Sequence, residues 1–189
     1  MRESFSATSA DSDSLAGSLL LAHPALKEAT FRRTAILLSN HDSEGAMGVV
    51  LNRPMGRALS ELGGDFVLGP LAGVPLFCGG PVEPQQLLLC AWRPQGDGEG
   101  FRLFFGISPE RAAEMVGEDN VHLRAFLGYA GWTAGQLEGE LERETWVVAE
   151  LVPDLLTQKP DETLWRRVLG DLDPEWKLLA SEPDDPGRN

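Results

Sequence analysis

Three short clusters in this chain combine residue types that are specialised, and each follows a run that reads as a strand. The first is Gly45-Ala46-Met47-Gly48 leading to Asn52-Arg53-Pro54. An arginine stiffened by the following proline at a strand end could clamp a carboxylate or phosphate with its fork. The same Asn52 and Arg53 could instead tie down their loop by bonding backbone carbonyls. The second cluster is Gly79-Gly80-Pro81-Val82-Glu83-Pro84. Two glycines expose backbone N–H groups and could form an anion-binding nest, or they could serve a tight crossover that needs positive φ. The third is Gly128-Tyr129-Ala130-Gly131-Trp132-Thr133-Ala134-Gly135-Gln136-Leu137. There a glycine-rich segment runs toward a helix start whose N–H groups and dipole favour an anion. Tyr129 and Trp132 could supply a flat wall beside it. Alternatively, Thr133 and Gln136 satisfy those donors as a capping box, and the glycines only let the helix press on a sheet. The candidate ligand-binding residues are therefore Asn52, Arg53, Gly79, Gly80, Trp132 and Gln136.

Other chemistry is poorly supported. The three histidines, His23, His41 and His122, have no second histidine three or four residues away, so no helical metal motif is present and no metal site is expected. His41, Asp42 and Glu44 could ligate or exchange protons, but they read better as a solvated turn, and His23-Pro24 as a turn with a satisfied ring. There is no Gly-x-Ser-x-Gly elbow. Neither a Gly-x-x-x-x-Gly-Lys loop nor a Gly-x-Gly-x-x-Gly fingerprint occurs, so no nucleotide cofactor, and no cofactor of any kind, is expected. Cys78 and Cys90 match no zinc or redox spacing and lie in apolar runs, which predicts buried thiols in a reducing cytoplasm.

The elements that must position these clusters are those of one α/β domain. The chain has 189 residues with 42% apolar and 24% charged residues, ordinary globular usage. Short apolar runs at 18–22, 34–38, 47–51, 74–78, 86–92, 101–107 and 146–149 read as strands of a mostly buried sheet. Helices are expected at 57–62, from the Ser108-Pro109 cap to Gly117, from Thr133 through Leu141, and over 161–172, where Asp173-Pro174 stops the last. The stripes expected to pack are Ala112, Ala113 and Val116 in the first capped helix, and Leu164 or Trp165, Val168, Leu169 and Leu172 in the last. Glu138, Glu140 and Glu142 should face water. Residues 1–14 read as a disordered tail, 15–180 as a single domain and 181–189 as a frayed acidic tail.

Sixteen Lys and Arg against 29 Asp and Glu give a net charge of −13. A surface this acidic argues against direct nucleic-acid binding, which needs cations to displace counterions. The acidic excess leans toward the C-terminal part, where residues from Gln136 onward hold 14 acids and 6 bases. A local cationic pocket in the half carrying Arg53 and Arg57 remains compatible with that balance. The N-terminal stretch lacks the basic region of a secretory signal, and no apolar run reaches bilayer length, so a cytoplasmic protein without membrane contact is expected.

Together with Gly17-Ser18-Leu19-Leu20-Leu21-Ala22-His23-Pro24, the three clusters resemble, in this order, the AlgH/YqgE family of small bacterial proteins. The resemblance covers about Gly17 to Leu179. It implies a compact α/β (α+β mixed) fold with a bifurcated sheet, part of it a small barrel, surrounded by helices. It also implies bacterial cytoplasm. The family has no settled reaction, and one branch is labelled a transcriptional regulator of exopolysaccharide synthesis. The expectation is a regulatory or interaction protein working through a protein partner or a small anionic ligand. The alternative is an enzyme on a small anionic substrate, which requires the Arg53, Gly79-Gly80 and Trp132–Gln136 loops to meet at one pocket.

Overall fold

The computed structural model describes residues 14–95, 101–151, 161 and 163–180, together with the backbone of residues 5–6. The expected loop at 96–100 and the tail at 181–189 lie outside them, as does most of the stretch 1–14. Within that stretch, β1 (Phe5–Ser6) pairs with β8 (Phe101–Ile107). Leu19–Ala22, Ala35–Asp42 and Gly45–Val50 form β2, β3 and β4, paired antiparallel in sequence order, with β3 running through the polar Ser39–Asp42 that read as a turn. On the far side of β2 lies β10 (Trp146–Ala149), an edge strand. Alternate residues of these strands face opposite ways. Leu19, Leu21 and Leu37 pack with Trp165 and Leu169, whereas Leu20, Ile36 and Leu38 pack with Trp132, Leu137 and Trp146.

The longest strands are β7 (Val82–Pro94) and β9 (His122–Thr133). The N-terminal half of β9 pairs with β7 on one side and, in parallel, with β6 (Pro75–Cys78) on the other. Its last residues, from Ala130 to Thr133, pair instead with β4. The sheet therefore forks along β9 at Gly128, whose φ of +71° interrupts the strand. Among the described residues ten strands join one curled, mixed sheet, against seven runs read as strands from the sequence. β9 is the strand that the sequence hid, because Gly128 and Gly131 made its C-terminal half look like a loop. Residues 57–62 also differ from expectation. They form the end of β5 (Pro54–Ala58) and a 3₁₀ turn, Leu59–Leu62, with Glu61's side chain accepting from Ala58 N–H at 3.0 Å.

Helix α1 (Pro109–Met115) starts as expected, with Ser108 capping Arg111 N–H at 3.3 Å. It buries Ala112 and Met115 rather than Val116, which is 37% exposed. Helix α2 (Gln136–Glu142) is followed by α3 (Leu164–Leu172) and α4 (Pro174–Leu179). Trp165, Val168 and Leu169 carry α3 onto the sheet, while Leu172 faces solvent. Asp173-Pro174 ends α3 and also starts α4, since Asp173 accepts from Glu175 N–H at 2.7 Å. Among the described residues no helix is long and apolar enough to cross a membrane.

The two cysteines part company. Cys78 is exposed, against expectation, while Cys90 is buried. Burial pushes the Cys90 thiol up to about 12, and burial draws nearby Arg124 down to about 10. The Arg124 guanidinium lies 5.3 Å from the Phe77 ring centre and 4.7 Å from that of Trp92. Between pH 9 and 10 the unfolded thiol ionises while the folded one keeps its proton, so stability should fall by about 1 kcal/mol. Above pH 10 the folded Arg124 sheds its proton while the unfolded one holds it, and the slopes offset. Urea denaturation of the wild type and Cys90→Ala at pH 8, 9 and 10 checks this. The gap between them should shift by about 1 kcal/mol across the last step, and a constant gap would exclude this titration.

Candidate functional site

Asn52 follows the end of β4 and is 3% exposed. Its Oδ1 accepts from Ala35 N–H at 2.9 Å and its Nδ2 donates to Arg33 carbonyl at 2.8 Å. One side chain thereby closes the turn that feeds β3. It also holds Arg33 at a φ of +56°, a conformation that costs a non-glycine residue on the order of 1 kcal/mol or more. The turn has its own supports. Glu28 accepts from Thr30 and Phe31 N–H at 2.9 and 3.0 Å, and Thr34 Oγ1 donates to Phe31 carbonyl at 2.7 Å. The hydrogen bond from the Thr30 side chain holds the Glu28 carboxyl below its ordinary range, with backbone donors and Arg53 adding to the effect.

Arg53 leans on this same turn, with one terminal nitrogen 3.3 Å from the Ala29 carbonyl and 3.5 Å from that of Arg32. Arg53 lines a cleft of about 440 Å³ together with Arg32, Arg33 and Arg166. The floor is Trp165 of α3, 2% exposed, whose indole N–H donates to the Ala22 carbonyl at 2.8 Å. The Arg33 guanidinium lies 5.7 Å from that ring's centre. Arg166 is steadied by a 3.1 Å bond from Nε to the Ala180 carbonyl, just past α4. Asn52, Pro54 and Thr163 complete the lining, which includes no carboxylate among the described residues. Thr163 is turned to Asp161, its hydroxyl donating at 2.6 Å.

The six residues singled out from sequence fall in three places. Asn52 and Arg53 share the arginine cleft. Gly79 and Gly80 press on β9 at the fork. Gly79 N–H donates to the Leu127 carbonyl at 2.8 Å, and its own carbonyl accepts from Val50 N–H at 2.9 Å. Trp132 and Gln136 lie on the other face of the sheet, around Glu140. That carboxylate accepts from Trp132 Nε1 at 2.8 Å, Trp146 Nε1 at 2.7 Å and Gln136 Nε2 at 3.0 Å. Glu140 is thus an anchor for two indoles and not a water-facing acid. Thr133 ends β9 and does not cap α2, where Gly135 in the left-handed region takes the cap position. Gln136 still reaches back to Thr133 N–H at 3.1 Å.

The two other sequence candidates are structural. His41 is nearly buried on β3, Nδ1 accepting from Leu15 N–H at 3.0 Å and Nε2 lying 3.0 Å from Glu138, so it is not a solvated turn residue. Arg57 pairs with Glu61 on the 3₁₀ turn and stands outside the cleft. Among the described residues no group of three or more His, Cys, Asp or Glu is placed to hold a metal ion. Reading the clusters one by one missed Arg32, Arg33 and Arg166. The available signal was the pair of adjacent arginine doublets, Arg32-Arg33 and Arg166-Arg167, in so acidic a chain.

Fold and cleft together describe a mixed α/β domain built around a forked sheet, with an arginine-lined cleft beside the turn that feeds β3. The chain belongs to the AlgH-like family, whose model matches residues 19–177. The UPF0301 protein SCO2948 of Streptomyces coelicolor is 41% identical over 93% of this chain and 96% of its own length. A UPF0301 protein of Mycobacteroides abscessus is 39% identical over 92% of this chain and 88% of its own length. The solution structure of AlgH from Pseudomonas aeruginosa superposes with a TM-score of 0.67 at 27% identity, covering 93% of this chain and 98% of that one. A crystal structure of the protein DIP2367 from Corynebacterium diphtheriae gives 0.69 at 25% identity, covering 93% and 96%.

Proposed function

We propose that this chain is a regulatory or interaction protein of the bacterial cytoplasm that takes a small anionic ligand in its arginine cleft and presents the occupied state to a protein partner. The observation that carries this reading is the convergence of four arginines, from three separate segments, on one cleft that has no lining carboxylate among the described residues. Guanidinium stays charged at any physiological pH, so the cleft attracts anions but, among the described lining residues, offers no group that exchanges protons near neutrality. That favours binding over acid–base chemistry. The enzyme alternative required three loops at one pocket, and they stand apart, with Trp132 and Trp165 on opposite faces of β2 and β3. Two free thiols, one exposed, suit a reducing compartment. Duplex DNA has no part in this reading, given the charge of −13.

Thermal unfolding in sodium sulfate against sodium chloride of equal ionic strength tests it. At ten times the dissociation constant, sulfate should add about 1.4 kcal/mol, a rise of roughly 3–5 °C for a domain this size. Arg53→Ala and Arg166→Ala should each remove most of the sulfate-specific rise. A wild type indifferent to sulfate, or variants that keep the full rise, would refute the reading.

A further inference from the structure

Resting on the partner half of that reading, we infer that a protein partner docks on the free edge of β10, adding to the sheet one strand from an extended, basic segment. Among the described residues the sheet ends on three strands, β1, β5 and β10. Two of them are guarded in ways that keep edges from pairing. β1 is two residues long. β5 begins at Pro54, slips register between Pro54 and Arg57 and passes through Gly56 at a φ of +66°. β10 has none of these devices. Its residues, Trp146-Val147-Val148-Ala149, include no proline, glycine or charge and keep an unbroken register with β2.

That register fixes which backbone groups stand open. His23 N–H donates to the Thr145 carbonyl at 2.9 Å, while Ala22 N–H turns the other way and donates to the Thr34 carbonyl at 2.9 Å. Hydrogen-bonded pairs alternate along an antiparallel ladder, so Val147 and Ala149 bond to β2, whereas Trp146 and Val148 aim N–H and C=O outward. Two donors and two acceptors at this spacing are what an added strand pairs with. Val148, 40% exposed, offers that strand an apolar side chain on the face of Trp146.

The partner's chemistry follows from what flanks the strand. Glu142 and Glu144 precede it and Glu150 follows it, all exposed, against Arg143 alone. An incoming segment that carries lysine or arginine meets opposite charge at both ends. An acidic segment meets like charge, and so does β10 of a second copy with its own Glu144 and Glu150. The edge also stands one strand from the cleft, since Trp146 pairs in register with Ala22, whose carbonyl holds the indole of the cleft's Trp165.

Heteronuclear NMR titration of the full chain at low salt, with three capped peptides of about seven residues, tests this. One alternates valine and lysine, one alternates valine and glutamate, and one is the lysine peptide with proline at its centre. The first should shift the amide signals of Trp146 and Val148, slow their hydrogen exchange, and bind at least ~10-fold tighter than either of the others. Val148→Pro removes an outward N–H and leaves the ladder to β2 intact, so its circular dichroism should be unchanged and its affinity about tenfold lower. Glu150→Lys, which alters no backbone group, should lose about threefold. If the proline peptide binds as well as its parent, or Trp146 and Val148 amides stay still, no strand is being added and the inference fails. If the glutamate peptide matches the lysine one, the partner is not basic and the inference fails. If the full chain dimerises in sedimentation and Val148→Pro abolishes the dimer, the edge belongs to a second copy, which overturns it equally. Sulfate stabilisation without peptide binding removes this surface and leaves the anion site standing.

Discussion

Gly80→Ala should destabilise the protein by more than about 3 kcal/mol, the range of severe backbone and overpacking defects. A β-carbon at Gly80 would stand 2.2 Å from both the carbonyl carbon and oxygen of Tyr129 and 2.5 Å from Ala130 N. All three are backbone atoms, so no side-chain rotation relieves the clash. The φ of +156° at Gly80 adds strain for any L side chain. Nor can the loop simply retreat. It would break the bond from Gly79 N–H to Leu127 and the one from Val50 N–H to Gly79, which join this loop to both arms of the fork. Gly128 completes the contact from the β9 side, where a β-carbon would lie 2.5 Å from the Gly80 carbonyl oxygen. Gly131→Ala is the internal control. Its nearest neighbour would be a Tyr129 ring carbon at 3.4 Å, and its φ is not positive, so a change of under about 1 kcal/mol is expected. Urea denaturation of both variants decides. A Gly80→Ala protein within 1 kcal/mol of wild type would mean that the two backbones are not in such contact.

That contrast also shows what the residues reveal and what they conceal. Leu19–Ala22, the first half of β3 and Phe101–Ile107 were legible as strands because their apolar runs are short and of buried-strand length, whereas the polar second half of β3, through His41 and Asp42, read as a turn. β9 was not, because glycine in a strand is chosen for what approaches it, and the approaching loop is some 50 residues away in sequence. Its mate Gly79-Gly80 was visible as a special backbone, but the partner that makes it special was not. α4 was hidden differently, since Asp173-Pro174 signals a stop and a start with the same residues. Glu140 looked like one of three solvent-facing acids, and only the fold brings two indole N–H groups to it.

The cleft follows the same logic. Arg53 stood out through its neighbours Asn52 and Pro54, yet a guanidinium alone says nothing of what others it will meet. Arg32 and Arg33 reach the cleft through a turn, and Arg166 through a helix packed by Trp165. The net charge of −13 hides this, since a sum over the chain has no spatial content. An acidic surface around one cationic cleft repels long polyanions at a distance and leaves a compact anion free to be held at close range.

Asn52→Ala should cost about 2–4 kcal/mol and weaken anion binding at the same time. The side chain is buried, and its removal leaves Ala35 N–H and the Arg33 carbonyl without the partner that Asn52 supplies. Each buried backbone group left unsatisfied costs about 1–3 kcal/mol. Arg33 then has no reason to keep its φ of +56°, and the turn carrying Arg32 and Arg33 can relax away from the cleft. Sulfate should accordingly lose much of its thermal effect even though no arginine has been touched. Asn52→Asp separates the two roles. Its carboxylate still accepts from Ala35 N–H but cannot donate to Arg33, so part of the stability loss should remain. Its negative charge, set among four arginines, should remove the sulfate response altogether. Urea denaturation with and without sulfate measures both effects. If Asn52→Ala loses under 1 kcal/mol, or Asn52→Asp still responds to sulfate as the wild type does, then Asn52 is not the residue that shapes the cleft.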